Sequence, residues 1–399
     1  MRKIIDNSYI GTCYIGKEEE NAAIRVIRSQ SLFRYEGPNL QYETEKFEKQ
    51  IVSKLSSDYA LACSSGAAAL KLCGVALDLG IGDEVIMSPL TFIASAGMML
   101  SCGAIPRFVD IDESFNIDVQ KIEEKINERT KAVMAIHIQG VPCDMDTITE
   151  IARRHSLYVI EDVAQAFGAK YNGTYLGTIG DVSACSLQAG KIITCGEGGI
   201  FLCKDPEYFR RARDYHDNGG HRIGCSYPSW DGLDSTYGEN FKITEIQSAI
   251  ASVQLNRLDE IISRQKMLFS RITEGVRLRT GVKLRKVPVN AEVVPVSICM
   301  TFEQKKHCDK FIEMCSDASI PFRRYFDLLL TEFTTFKYGK SWSKTGYPYC
   351  YNEQYKADEC PVSEDLKNRT AWMKLSPMLT EEDEDYIVNC VNVFLDRIL

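Results

Sequence analysis

From residue 57 to residue 205 the chain alternates short apolar runs with longer, polar-faced stretches. The runs are YALAC (59–63), EVIMS (84–88), IPRFVDI (105–111), KAVMAIHI (131–138), LYVIED (157–162), DVSACS (181–186) and GIFLC (199–203). Each ends in polar or glycine residues. Amphipathic segments of helix length lie between several of them, such as VQKIEEKINERT (119–130) and MDTITEIARRHS (145–156). Strands alternating with helices predict crossover units and a mainly parallel sheet. Runs that are apolar nearly throughout predict strands covered on both faces.

From Ile243 to Val276 the period changes. Ile243, Ile246, Ile250, Val253, Leu258, Ile261 and Ile262 recur at helical spacing and predict one long helix. From about residue 277 onward, strand-like VKLRKV and VVPVSICM mix with helical KKHCDKFIEMCSDA and TEEDEDYIVNCVNVFLDRIL. The expected fold class is therefore α/β. It has a large domain with a mainly parallel seven-stranded sheet flanked by helices (41–262) and a smaller α+β C-terminal domain (263–399). Residues 1–40 are expected to pack with the small domain. Residues 217–240 and 336–356 read as long loops, which are often functional.

Composition narrows the classes. A chain of 399 residues exceeds the size of a single core. With 45% apolar and 26% charged residues it is an ordinary soluble globular sequence. A net charge of −8 argues against nucleic acid or an anionic membrane as partner. No apolar run reaches the roughly 18 residues that would span a bilayer. The start, MRKIIDNSYIG, has no apolar signal core, so a cytoplasmic location is expected. The fifteen cysteines form no CxxC pair. They read as reduced, packed thiols, and no metal site is expected.

In a parallel sheet ligands bind beyond the carboxyl ends of the strands, which here carry Ser64, Ser65, Asp162 and Ser186. SSGAAAL (64–70) opens a helix directly after a strand. It is either an ordinary turn or a phosphate site built from free helix N–H groups. It lacks the GxGxxG and GK[ST] patterns, so neither a dinucleotide fold nor an NTPase is supported. Asp162, in VIEDVAQAFGA, is either a helix cap or a buried acid facing a cation. Lys191, in SLQAGKIITCGEGG, is either a loop lysine or a covalent anchor whose pKa falls in a partly apolar site.

In order, the chain offers a phosphate turn, an aromatic after a strand (Phe92), an acid at a strand end, and Ser–x4–Lys–x4–GEGG. That order resembles the fold-type I, aspartate-aminotransferase-like enzymes that use pyridoxal 5'-phosphate, and more narrowly the DegT/DnrJ/EryC1/StrS sugar aminotransferases. The blocks that carry the resemblance include GIGDEVIMSPLTFIASA, GAIPRFVDID, HIQGVPCDMD, GTIGDVSACSLQAGKIITCGEGG and ENFKITEIQSAIASVQL.

The resemblance implies a role for each matching residue. Lys191 forms a Schiff base with the cofactor and shuttles protons. Asp162 pairs with the ring nitrogen, Gln165 with the ring's phenolic oxygen, and Phe92 stacks on the ring. Gly66, Ala67, Ala68 and Ser186 bind the phosphate. Asn240 reaches the phosphate of a neighbouring subunit, which implies a homodimer with shared sites. The implied reaction moves an amino group from glutamate or glutamine to a keto or aldehyde sugar or sugar nucleotide by a ping-pong mechanism.

Three departures stand out. Ala67 stands where the family usually has a threonine, so one hydroxyl contact to the phosphate is missing; Lys242 stands where it has an arginine, so a bidentate carboxylate clamp is in doubt. Gln188 replaces a frequent histidine and is closer to members acting on ketocyclitols or free ketosugar acids of the 8-amino octulosonate type. Arg34, His137, His221 and Lys242 are further substrate candidates, each balanced against a structural or solvated role. A non-catalytic regulator, a lysine-less dehydratase and a nicotinamide-dependent dehydrogenase are the rivals.

Overall fold

The computed structural model describes residues 9–222, 228–230, 236–352 and 355–399. All seven apolar runs are strands of one sheet: β1 (Tyr59–Cys63), β2 (Glu84–Met87), β3 (Ile105–Phe108), β4 (Thr130–Ile136), β5 (Tyr158–Asp162), β6 (Val182–Ser186) and β7 (Gly199–Cys203). Their order is β1-β7-β6-β5-β4-β2-β3. β7 runs antiparallel between β1 and β6, and the other neighbouring pairs are parallel.

Successive side chains alternate between two cores. Ala60, Val133, Ala135 and Val159 meet Phe47, Ile51, Ile148 and Leu255 on one face. Leu61, Met134, Ile160 and Ala184 meet Leu70, Leu72, Met99 and Tyr215 on the other. Burying each of these large side chains stabilises the fold by about 1.5–3 kcal/mol.

A second, antiparallel sheet is formed by β8 (Val282–Leu284), β9 (Ser297–Phe302), β10 (Arg323–Arg324) and β11 (Thr370–Lys374), in the order β8-β9-β11-β10. Its core packs Phe302 and Met373 against Phe311, Ile387 and Leu395 from the helices Lys305–Asp317 and Glu381–Ile398. The helix Leu258–Gly275 links the two cores. Leu258 and Ile261 belong to the first, Leu268 and Ile272 to the second. Tyr325, Leu330, Phe336 and Leu366 return to the large sheet's core, so residues beyond the expected division at 262/263 also pack into the large unit.

Four expectations are corrected. VQKIEEKINERT is not a helix but two 3-10 turns, Val119–Lys121 and Glu123–Lys125; the Asn127 side chain then bonds to Glu84 and ends the run. The long helix from 243 is two helices, Glu245–Asn256 and Leu258–Gly275, with Arg257 between them held by Glu18 and Glu19. The described part of the N-terminal segment, from Tyr9, packs on the large unit rather than on the small one. Its helix Lys17–Ser29 lays Ala22 and Val26 on Ala249 of the helix Glu245–Asn256. The stretch 336–356 is not all loop, because it shares the helix Thr334–Tyr338 and holds a 3-10 turn at Tyr349–Tyr351. Among the described residues no helix is long and apolar enough to cross a membrane.

Candidate active site

Three strand ends meet beside one helix start. Cys63 and Ser186 both pair with Gly199, which lies between them. A Cβ on Gly199 would sit 2.2 Å from the Ser65 carbonyl oxygen. Only glycine lets the Ser65–Gly66 turn cross there. A Cβ on Gly66 would in turn meet the Ser186 Cβ at 2.7 Å. The turn therefore rests on Ser186. The Ser65 hydroxyl accepts from the Ala68 N–H at 3.0 Å and caps the helix Gly66–Ala76. The Gly66 and Ala67 N–H groups precede the first intrahelical bond. They give this corner the donors and positive dipole end that suit an anion.

Asp162 ends β5 and is 5% exposed. Its Oδ2 accepts from the Ser95 hydroxyl at 2.7 Å and its Oδ1 from the Ala164 N–H at 3.0 Å. Ser95 is itself 2.9 Å from the Thr91 hydroxyl. Two donors leave a carboxylate with spare acceptor capacity. The same turn, Thr91–Ser95, presents Phe92, whose ring is 68% exposed.

Lys191 is partly buried. Burial depresses its pKa below the usual lysine value. Asp162, the largest charge acting on it, opposes that shift, and Lys374 reinforces it. The loop that carries it is tied down from two sides. Gln188 Oε1 accepts from the Gly190 N–H at 2.7 Å, and the Lys191 N–H donates to the Gln188 carbonyl at 2.9 Å. From the N-terminal turn Gly11–Tyr14, the Gly11 N–H donates to the Lys191 carbonyl at 2.9 Å and the Thr12 hydroxyl to the Ala189 carbonyl at 2.9 Å.

Gly66, Ala67, Ala68, Phe92, Asp162, Gln165, Ser186 and Lys191 thus gather around one end of the sheet. Asn240 is exposed beside the phosphate-type turn, since the next residue's carbonyl, on Phe241, accepts from the Ser64 N–H at 2.7 Å. The remaining candidates are committed elsewhere. His137 is fully buried: Nδ1 accepts from the Cys143 N–H at 3.0 Å, leaving Nε2–H for Glu161 Oε2 at 3.2 Å. Arg34 pairs with partly buried Glu48 at 3.0 Å. Lys242 is 2.6 Å from Asp217, whose other oxygen is held by Arg222, so its charge is already matched. His221 lies at the surface, 3.3 Å from Asp214. The side chain of Gln188 closes its own turn. Ser95 and Gln139 lie inside the blocks GIGDEVIMSPLTFIASA and HIQGVPCDMD, where no local pattern sets them apart.

The sheet order and the lysine, acid and glycine-fitted corner at its carboxyl edge define an α/β enzyme of the aminotransferase kind. The chain belongs to the DegT/DnrJ/EryC1/StrS aminotransferase family, which it matches over residues 14–392, and it is a sugar aminotransferase of that family. GDP-perosamine synthase of Escherichia coli O157:H7 is 33% identical over 356 residues, covering 88% of this chain and 89% of that protein. The dTDP-3-amino-3,6-dideoxy-alpha-D-galactopyranose transaminase of Aneurinibacillus thermoaerophilus is 31% identical over 358 residues, covering 88% and 89%. The aminotransferase from Psychrobacter cryohalolentis superimposes with a TM-score of 0.83 at 27% identity, over 96% of this chain and 98% of that one.

Proposed function

We propose that the protein holds pyridoxal 5'-phosphate and moves an amino group from glutamate to a nucleotide-linked ketosugar by a ping-pong mechanism. The residues present fit that cofactor. Asp162 is a buried acid with acceptor capacity to spare, Gln165 has an amide nitrogen without an acceptor among the described residues, and the Gly66–Ser186 corner offers donors to a phosphate. When bound, the cofactor supplies an aldehyde that carries the amino group and a ring that accepts an electron pair.

The chain's own residues do the rest. The Asp162 carboxylate keeps the ring nitrogen protonated, and Ser95 keeps that carboxylate aimed. Gly66, Ala67 and Ser186 fix the phosphate, and Phe92 covers a ring face. The Lys191 amine, its pKa depressed by burial, is less fully protonated than a surface lysine. It takes and returns the proton at the substrate's reacting carbon.

The observation that carries this reading is the placing of partly buried Lys191, buried Asp162 with acceptor capacity left, and the glycine-fitted helix start on Ser186 at one end of the sheet. The nucleotide-linked acceptor rests on the names of the GDP- and dTDP-sugar relatives. Exposed Asn240 supports a homodimer in which it completes the partner's phosphate corner. The unpaired cysteines among the described residues support a cytoplasmic location.

The test is a half-reaction. Glutamate should bleach the visible band of the reconstituted protein, and the right ketosugar should restore it. GDP- and dTDP-ketosugars, free ketosugar acids and ketocyclitols are compared side by side. No spectral response to glutamate would refute the donor. Restoration by free sugars alone would replace the acceptor with the octulosonate type.

A further inference from the structure

Gln139 is one of several non-glycine residues with positive φ among the described residues, and it lies beside the site. It is 6% exposed and has φ 48° and ψ 41°, a left-handed conformation that costs a non-glycine residue free energy. Gly140 follows with φ 83°, and a Cβ there would lie 1.7 Å from the Val294 carbonyl oxygen.

The turn is held at every residue. The Ile138 N–H donates to Asn116 Oδ1 at 3.1 Å, and Arg285 donates to the Ile138 carbonyl at 2.8 Å. The Gln139 side-chain oxygen accepts from the Ser297 hydroxyl of β9. The Val294 N–H donates to the Gly140 carbonyl at 3.0 Å. Strain kept in place by so many contacts is commonly part of a site. The result of this conformation is one bond: the Gln139 N–H donates to Gln165 Oε1 at 3.2 Å.

That bond decides which end of an amide faces the site. A side-chain amide can turn either its oxygen or its NH2 outward. With Oε1 occupied by the Gln139 N–H, the donor end is presented. We propose that Gln139 is a positioning residue: its left-handed backbone N–H, braced by Ser297 of the C-terminal sheet, locks Gln165 so that its NH2 donates to the cofactor ring's oxygen. This rests on the cofactor reading above.

A donor at that oxygen stabilises its negative form. It also makes the neighbouring nitrogen of the lysine linkage less basic. Loss of the donor therefore raises the pH midpoint of the visible band.

The experiment titrates that band in proteins reconstituted with pyridoxal phosphate. Gln165→Ala should raise the midpoint by about one unit, a tenfold gain in proton affinity. Gln139→Val should do the same, because a β-branched residue resists positive φ and swings the N–H away. Gln139→Thr serves if the valine variant fails to fold. Gln139→Gly keeps the N–H and takes positive φ without strain while losing only the Ser297 bond, and should shift the midpoint clearly less than Gln139→Val. The double variant Gln139→Val/Gln165→Ala should shift no further than Gln165→Ala alone.

An unmoved midpoint in both β-branched variants beside a shifted Gln165→Ala overturns the proposal, as does full additivity in the double variant. A wild-type protein without a band that Lys191→Ala removes overturns the cofactor reading as well, and that outcome is distinct from the other two.

Discussion

Glu161 and Asp162 are consecutive buried acids on one strand, and the sheet turns them to opposite faces. Glu161 points to the face of Val133 and Ala135. There it accepts from His137 and from the N–H groups of Gly177, Ile179 and Gly180, the last three at 2.7–2.9 Å. Burial raises its pKa, but these donors outweigh burial and hold it below the usual glutamate value. Its acceptor capacity is spent on fixing the loop after the short hairpin at 170–175. Asp162 points to the opposite face, that of Met134 and Ile160, takes two donors, and has acceptor capacity left. Burial and charge do not separate the two. Unspent hydrogen-bonding capacity does, and it marks the face on which a ligand belongs.

The sharpest break in that comparison is at the lysine. Lys191→Ala should abolish turnover and the visible band while the thermal midpoint stays near wild type; residual turnover in a stopped assay would contradict its assigned role. Next come the two acids. Glu161→Ala leaves the buried Nε2–H of His137 and three backbone N–H groups without a partner and should cost about 3–5 kcal/mol in denaturant unfolding. Asp162→Asn should leave stability nearly unchanged and lower kcat/KM at least about a hundredfold, the kinetic equivalent of a charge-assisted hydrogen bond of about 3 kcal/mol. If both substitutions damaged stability equally, the distinction between the faces would fall.

Ser95→Ala sharpens the comparison further. It removes one of the two donors to Asp162 and should reduce kcat/KM about tenfold, or about 1.4 kcal/mol, with little change in KM for the sugar.

The last effect, of similar size, is on pH dependence. His216 is fully buried and burial pushes its pKa down to about 3, with the nearby Arg34 charge acting the same way. The unfolded chain binds this proton near pH 6.5 and the folded chain does not. Stability is therefore complete above pH 6.5 and falls as pH drops toward 3, by about 1.4 kcal/mol per unit. His216→Gln should flatten that slope in urea midpoints measured between pH 7.5 and 5.

Much of this was legible in one sequence. The seven strands were readable because a strand covered on both faces is apolar at every position, as in YALAC and GIFLC. The helix at 119–130 misled because apolar residues three apart, Val119 and Ile122, suit a 3-10 turn as well as an α-helix. The break at Arg257 has no glycine or proline to announce it, and its cause, Glu18 and Glu19, lies over 200 residues away. The residues the structure gathers, Asp162, Ser186 and Lys191, stood at strand ends or in the loop beyond one, which topology places together. Arg34, His137 and Lys242 had suitable chemistry but are matched by Glu48, Glu161 and Asp217. Ser95 and Gln139 depend on side-chain direction across contacts that no local pattern encodes.

The bond from the Gly11 N–H to the Lys191 carbonyl has a practical consequence. The loop that carries the lysine is finished by a turn about 180 residues upstream, so its shape depends on docking between remote parts of the chain. A protease cut just before Lys17 should slacken the lysine's loop and leave the sheet intact.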